Sequence, residues 1–143
     1  MRSRHSTLRA KGLEDLPEDT VPRLREVVES ANFIEDIIIF GSYARGEADK
    51  DSDIDLCVLY RGRFRDAPRI IGKATWYIYP IMRDTGLEYD LVAFPAEFPR
   101  NESDAASHFF ETIMKEGVSV CSGKLMVVWR KDGLIELLLM VRG

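Results

Sequence analysis

The run from Ile37 to Leu59 reads I-I-I-F-G-S-Y-A-R-G-E-A-D-K-D-S-D-I-D-L-C-V-L. An apolar segment, Ile37 to Phe40, stops at Gly41-Ser42. A polar, charged connection follows, and a second strand-like run begins at Asp53 and carries Asp55 two residues on. Alternate side chains of a strand leave the same face, which sets Asp53 and Asp55 about 6–7 Å apart along the chain. Two ionised carboxylates on one face repel each other and serve poorly as structure alone. A divalent cation reverses the sign of that interaction. Mg²⁺ prefers oxygen ligands and is commonly held by one or two carboxylates plus substrate phosphates. The stretch therefore predicts a metal–phosphate site, with Gly41-Ser42 at its phosphate end.

Spacing tests two other readings. Gly41 and Gly46 are placed as in a P-loop, but Glu47-Ala48 stands where that loop needs Lys followed by Ser or Thr. Asp49, Asp51, Asp53 and Asp55 imitate the start of a calcium-binding EF-hand. Ile54, however, occupies the position that must be Gly, and Tyr60 the position of the bidentate Glu. Both readings fail. A solvated acidic loop between two core strands is the plainer alternative.

Gly41-Ser42, the ten residues 43 to 52, and Asp53-Ile54-Asp55 together resemble the signature of the DNA polymerase β-like nucleotidyltransferases. The wording G-S-Y-A-R-G-E-A with S-D-I-D-L is similar to that of their minimal members, small bacterial and archaeal proteins. A third carboxylate of that family sits on a later strand, and Leu87-Glu88-Tyr89-Asp90-Leu91-Val92 looks like that strand, with Asp90 as the match. The resemblance covers roughly residues 18 to 121.

At 143 residues the chain is expected to form one main domain. Three parts are expected: a flexible basic arm over 1–17, a catalytic domain over 18–122, and an apolar tail over 123–143. A hydrophobic content of 45% is ordinary for a globular protein. The net charge of −4 exerts no overall pull towards nucleic acid or anionic membrane. Two cysteines, Cys57 and Cys121, make no disulfide framework and suit a reducing compartment. No apolar run approaches the ~18–20 residues of a membrane span, and the polar, basic start lacks the apolar core of a secretory signal. A cytoplasmic protein is expected.

Along the chain, a helix is expected from Thr20, read as its N-cap, to Ala31, with Pro22 in the first turn. Ile34 to Phe40 reads as a central strand apolar on both faces. Tyr43 to Arg45 reads as a short helical turn whose N–H groups can hold phosphate oxygens. Asp53 to Tyr60 reads as the second strand. The arginines at 61, 63, 65 and 69 around Phe64 suit either a phosphate- or acceptor-contacting loop or a solubilising rim. Helical spacing from Pro68 to about Arg83 is interrupted at Pro80, which predicts a kink or an early end. Gly86 closes it, and Leu87 to Phe94 is the third strand. A further helix, capped by Ser103 or Asn101, is expected to run to about Glu116 with Gly117 as a left-handed C-terminal residue. Val118 to Cys121 is a short strand. In the tail, Lys131-Asp132-Gly133 separates two apolar runs, which suits a β-hairpin or, with Asp132 as cap, a helix. Either must pack on this domain or on a second copy, so a homodimer contact is one expectation.

The resemblance implies an α/β (α+β) fold, a small mixed twisted sheet of the polymerase β-like kind, with helices on one face and the metal site on the other. It implies transfer of a nucleoside monophosphate, AMP from ATP, to a hydroxyl with release of pyrophosphate. In that reading Asp53, Asp55 and Asp90 are the catalytic and metal residues of a two-Mg²⁺ site, and Gly41, Ser42 and Arg45 bind the nucleotide. Many minimal nucleotidyltransferases pair with a HEPN-domain protein as toxin and antitoxin, so a separate HEPN protein is the partner implied. A stand-alone transferase acting on a small molecule of the aminoglycoside type, or a non-catalytic nucleotide-binding module, are the alternatives.

Overall fold

The computed structural model describes residues 13–98 and 104–122. The basic residues at 1–12, the expected caps Asn101 and Ser103, and the whole apolar tail over 123–143 lie outside the described residues.

Among the described residues four strands form one sheet in the order β3-β2-β1-β4. They are β1 (Ile34–Phe40), β2 (Ile54–Tyr60), β3 (Tyr89–Pro95) and β4 (Val118–Ser119). The strand β1 pairs antiparallel with β2 and with β4, whereas β2 and β3 run parallel. A parallel neighbour needs a long crossover, and the helix α3 (Ala67–Thr85) supplies it. The remaining helices are α1 (Thr20–Ser30), the single turn α2 (Ser42–Arg45) and α4 (Ala105–Glu116). This is the mixed α/β sheet that the motif implied.

The alternation of the central strands divides the core in two. Ile37 and Ile39 of β1 and Ile54, Leu56, Val58 and Tyr60 of β2 face α1 and α3, where Leu24, Val27, Ala74, Ile78 and Ile81 meet them. Ile38, Phe40, Cys57 and Leu59 face the other way, onto Phe94, Phe98 and the Phe110, Ile113 and Met114 stripe of α4. So α4 covers part of the second face as well, and only the end of that face beyond Phe40 is left for polar chemistry. Burial pushes the Cys57 thiol up from its ordinary value.

Several element ends depart from the spacing. The N-cap position of α1 is taken by Asp19 with no side-chain bond, while Thr20 is already helical and buried. Backbone does the capping work there: Thr20 N–H donates to Pro17 O at 3.0 Å and Arg23 N–H to Asp19 O at 3.0 Å. Leu16 is buried just before it, and Leu13 of a 3-10 turn at Leu13–Asp15 packs against the same core while Glu14 and Asp15 stay exposed, so the last part of the expected arm is tied to the domain. The helix α3 runs through Pro80 to Thr85, held on either side of the proline by buried Ile78 and Ile81. It ends, as expected, in left-handed Gly86, φ 75°. The cap of α4 is Asp104, whose carboxylate accepts Ala106 N–H at 3.0 Å.

Gly117 is glycine for a reason other than the one expected. Its φ is −79°, open to any residue. A Cβ there would overlap Cγ2 of Ile38 and lie 2.6 Å from Ile113 O. The chain thus turns from α4 into β4 in direct contact with β1. The junction is locked further by buried Asp36, whose oxygens accept Ile37 N–H at 2.7 Å and the Ser119 hydroxyl at 2.6 Å. Among the described residues no helix is long and apolar enough to cross a membrane.

Two glycine substitutions separate crowding from flexibility. Gly117→Ala is expected to destabilise by about 1–3 kcal/mol through overpacking. Gly72→Ala, on the open side of α3 with nothing within 4 Å of the added carbon, is expected to stabilise by about 0.5–1 kcal/mol. Urea unfolding of both variants is the check.

Candidate active site

The strand β1 delivers the chain into Gly41, which is buried and left-handed, φ 77°. That conformation costs an L-residue strain and costs glycine little. Space forbids a side chain as well: a Cβ on Gly41 would overlap Oδ2 of Asp55 and lie 3.0 Å from its Cγ. Ser42 then opens the turn α2, which Gly46 closes in the left-handed conformation. Arg45 N–H donates to Gly41 O at 3.0 Å and Glu47 N–H to Ser42 O at 2.9 Å, so the turn is internally braced.

Register brings the carboxylates together. Phe40 is paired with Asp55 across β1 and β2, and Asp55 with Asp90 across β2 and β3. Paired residues on neighbouring strands, about 4.8 Å apart, share a face. Asp53 stands one residue before β2 and is exposed, as is Asp90; Asp55 is half-buried between them. The Asp55 carboxyl is pushed above its ordinary range, first by burial and then by the charges of Asp90 and Asp53. Arg45 pulls it back, and Glu116 adds to the upward push. Burial of the Tyr43 ring beneath the turn raises its phenol, with Asp15, Asp49 and Asp53 adding to the effect.

The structure therefore gathers Gly41, Ser42, Asp53, Asp55 and Asp90 at one end of the sheet's second face. Arg45 is there too, but engaged: its guanidinium meets Glu47 at 3.0 Å and Glu116 at 3.2 and 3.3 Å. Glu116 is the residue that spacing did not reveal. It ends α4, and its Oε2 accepts Gly41 N–H at 2.7 Å. One signal was available: a carboxylate in the last turn of a helix opposes the macrodipole and so invites a reason. His108 is exposed on α4, an ordinary helix position.

The donor set is all hard oxygen, the kind that Mg²⁺ takes. Among the described residues no three acidic, His or Cys side chains converge closely enough to make a metal cage by themselves. A Mg²⁺ site built with substrate phosphates does not require one, since one or two protein carboxylates suffice. Asp55 with Asp53 or Asp90, beside a glycine turn, fits that arrangement.

Comparison with known proteins bears on the family and the fold. Residues 21–119 match the family model described as a nucleotidyltransferase domain. A putative protein adenylyltransferase of Methanocaldococcus jannaschii is 29% identical over 86 residues, 59% of this chain and 76% of that one. Among solved structures, a toxin–antitoxin with AMP-PNP superposes with a TM-score of 0.51 at 18% identity, covering 85% of this chain and 83% of the other. A mutant of the MntA-HpeT toxin–antitoxin gives 0.50 at 16% identity over the same shares. At such identities these two likenesses speak for the fold.

The crowded charge at Asp55 has a measurable consequence. A carboxyl raised in the folded state favours folding only while protonated, so at neutral pH its ionised form weighs against stability. Asp55→Asn is expected to melt at the same temperature as the parent or higher near pH 7. The difference should shrink as the pH falls through the folded-state value of Asp55 towards that of an unfolded carboxyl. Thermal unfolding followed by circular dichroism between pH 7 and pH 3.5 is the measurement. A variant that melts well below the parent at neutral pH would contradict the electrostatic reading.

Proposed function

From the premise that this chain belongs to the nucleotidyltransferase domain family, we propose that it transfers AMP from ATP to a hydroxyl of a partner protein, with Mg²⁺ held by Asp53 and Asp55. The observation that carries the proposal is the register that sets Asp55 beside Asp90 and directly over the Gly41 turn. In this reading Asp53 and Asp55 are the carboxylate pair for the triphosphate's cation, and Asp90, exposed on β3, is the third carboxylate, for the incoming acceptor. Mg²⁺, when bound, would neutralise triphosphate charge and lower the acceptor hydroxyl's pKa.

The protein's own part is positioning and charge. Gly41 N–H, the Ser42 hydroxyl and Arg45 bind the β- and γ-phosphates, leaving the α-phosphorus above Asp55. Asp90 accepts the acceptor's proton. The acceptor oxygen forms a bond to the α-phosphorus, the bond from that phosphorus to the bridging oxygen of the β-phosphate breaks, and pyrophosphate leaves. Orientation of the two reactants together with preset charge is the larger share of such catalysis.

Support for a protein acceptor comes from the archaeal relative, named a putative protein adenylyltransferase. Support for ATP and for a toxin–antitoxin setting comes from the similar folds, one a toxin–antitoxin with AMP-PNP and one from the MntA-HpeT pair. The resemblance at Gly41-Ser42 and Asp53-Ile54-Asp55 adds a separately encoded HEPN-domain protein as the partner of choice.

The test is transfer of label from α-labelled ATP in Mg²⁺, with the HEPN-domain product of a neighbouring reading frame or an aminoglycoside as acceptor. Label on the protein is expected. Asp53→Asn, Asp55→Asn and Asp90→Asn should each lower transfer by at least about 10²-fold, the scale for losing one pre-positioned charge at a reacting centre. Ser42→Ala should reduce the rise in melting temperature that Mg–ATP produces by mass action. Label on the aminoglycoside alone would replace the acceptor; no label and no ATP shift would leave a different chemistry for the site.

A further inference from the structure

Glu116 ends α4, where the macrodipole disfavours a negative side chain. Local propensity does not explain it, but its contacts do. Oε2 accepts Gly41 N–H at 2.7 Å, and its two oxygens lie 3.2 and 3.3 Å from Nη1 of Arg45. Gly41 N–H and the Arg45 guanidinium are the groups assigned above to the triphosphate. A carboxylate and a pair of phosphate oxygens make the same demand on such donors: short, charge-assisted hydrogen bonds from an N–H and a guanidinium.

We propose that Glu116 is an internal competitor of the nucleotide, a carboxylate latch that occupies the triphosphate's donors and must swing aside before a triphosphate can engage them. The proposal rests on the reading of Gly41 and Arg45 as phosphate donors and adds a control element to that site. Three features support a moving side chain on a fixed backbone. The backbone cannot retreat, because Gly117 is pressed against Ile38 and Ile113 O, and the β4 pairing at Ile38–Ser119 and Ile39–Val118 follows at once. The side chain retains 21% of its exposure, so a route to solvent exists. Arg45 keeps a partner when the latch opens, since Glu47 holds its Nε at 3.0 Å. Charge gives the same direction. Glu116 lies in the field of the acidic cluster around Asp55, so a triphosphate that entered with the latch closed would meet an additional negative charge and no free Gly41 N–H.

Competition of this kind lowers apparent affinity by the fraction of molecules whose latch is open. The experiment is calorimetric titration of the full chain and of Glu116→Ala and Glu116→Gln with three probes. These are Mg–AMP-PNP, Mg–tripolyphosphate, and adenosine without phosphate. With the latch closed in about nine molecules of ten, Glu116→Ala should bind both phosphate probes roughly tenfold more tightly. Glu116→Gln, of nearly unchanged volume, should shift in the same direction by less. Adenosine should bind all three proteins alike. Circular dichroism melts confirm that the variants are folded, and the glutamine variant serves should the alanine one not fold. Phosphate affinity that is unchanged or weaker in the variants would overturn the latch while leaving the site intact, and so would an equal gain for adenosine. Failure of every form to bind Mg–AMP-PNP would overturn the donor assignment itself, and the latch with it.

Discussion

Asp55 leans over Gly41 so closely that a single carbon on the glycine would overlap its carboxylate oxygen. That contact joins the end of β1 to the start of β2 at the point where the pairing of Phe40 with Asp55 closes the ladder. It fixes the height of the carboxylate above the turn. The parallel register of β3 then sets Asp90 beside Asp55 with no further adjustment. A side chain at position 41 would therefore do more than strain one residue. It would lift the central carboxylate away from the turn and from its neighbour at once.

The parts of this arrangement that were legible in the sequence are those governed by short, fixed spacings. Two-residue periodicity predicts Asp53 and Asp55 on one face, although β2 itself begins only at Ile54, and the apolar Ile37–Phe40 run suggests a doubly covered strand, which β1 is. Both readings rest on local geometry. Asp90 was reachable because the motif supplies an order of strands, although pairing with Asp55 is a tertiary fact. Glu116 was not reachable in that way. It lies 75 positions from Gly41, and its contact depends on where α4 crosses the second face of the sheet. The same limit explains Gly117, whose identity answers to Ile38, a residue far away in the chain. The cap at Asp104 is a smaller instance: several capping residues stood in a row, and the spacing alone did not choose among them.

The sheet carries two unequal covers, and the inequality makes the site. The face under α1 and α3 is apolar from Ile34 to Tyr60 and supplies most of the buried core. The other face is closed by α4 and the Phe94, Phe98 and Phe110 cluster, with Phe109 set edge-on to Phe40 at 6.0 Å. Beyond Phe40 that cover stops, and the charged cluster begins. Like charges gathered there weigh against folding, as the raised carboxyl of Asp55 shows. The apolar faces behind and beside the cluster tolerate this because they bind the strands that carry it on both sides. Stability is drawn from one region and function placed at the edge of it.

This arrangement also gives α4 two tasks whose energetics are linked. Its apolar stripe holds the second face of the sheet, and its terminal carboxylate sits on Gly41 N–H and the Arg45 guanidinium, the groups proposed above to hold phosphate. If a triphosphate and Glu116 exclude each other at Gly41, binding one displaces the other by the same free energy in either order. Whatever restrains the end of α4 with the latch closed then weakens nucleotide binding, and whatever holds Glu116 away strengthens it. The locked junction of Gly117, Ser119 and Asp36 confines that exchange to one side chain. On that proposal the fold need not move for nucleotide affinity to change, because rotation about the three side-chain bonds of Glu116 suffices.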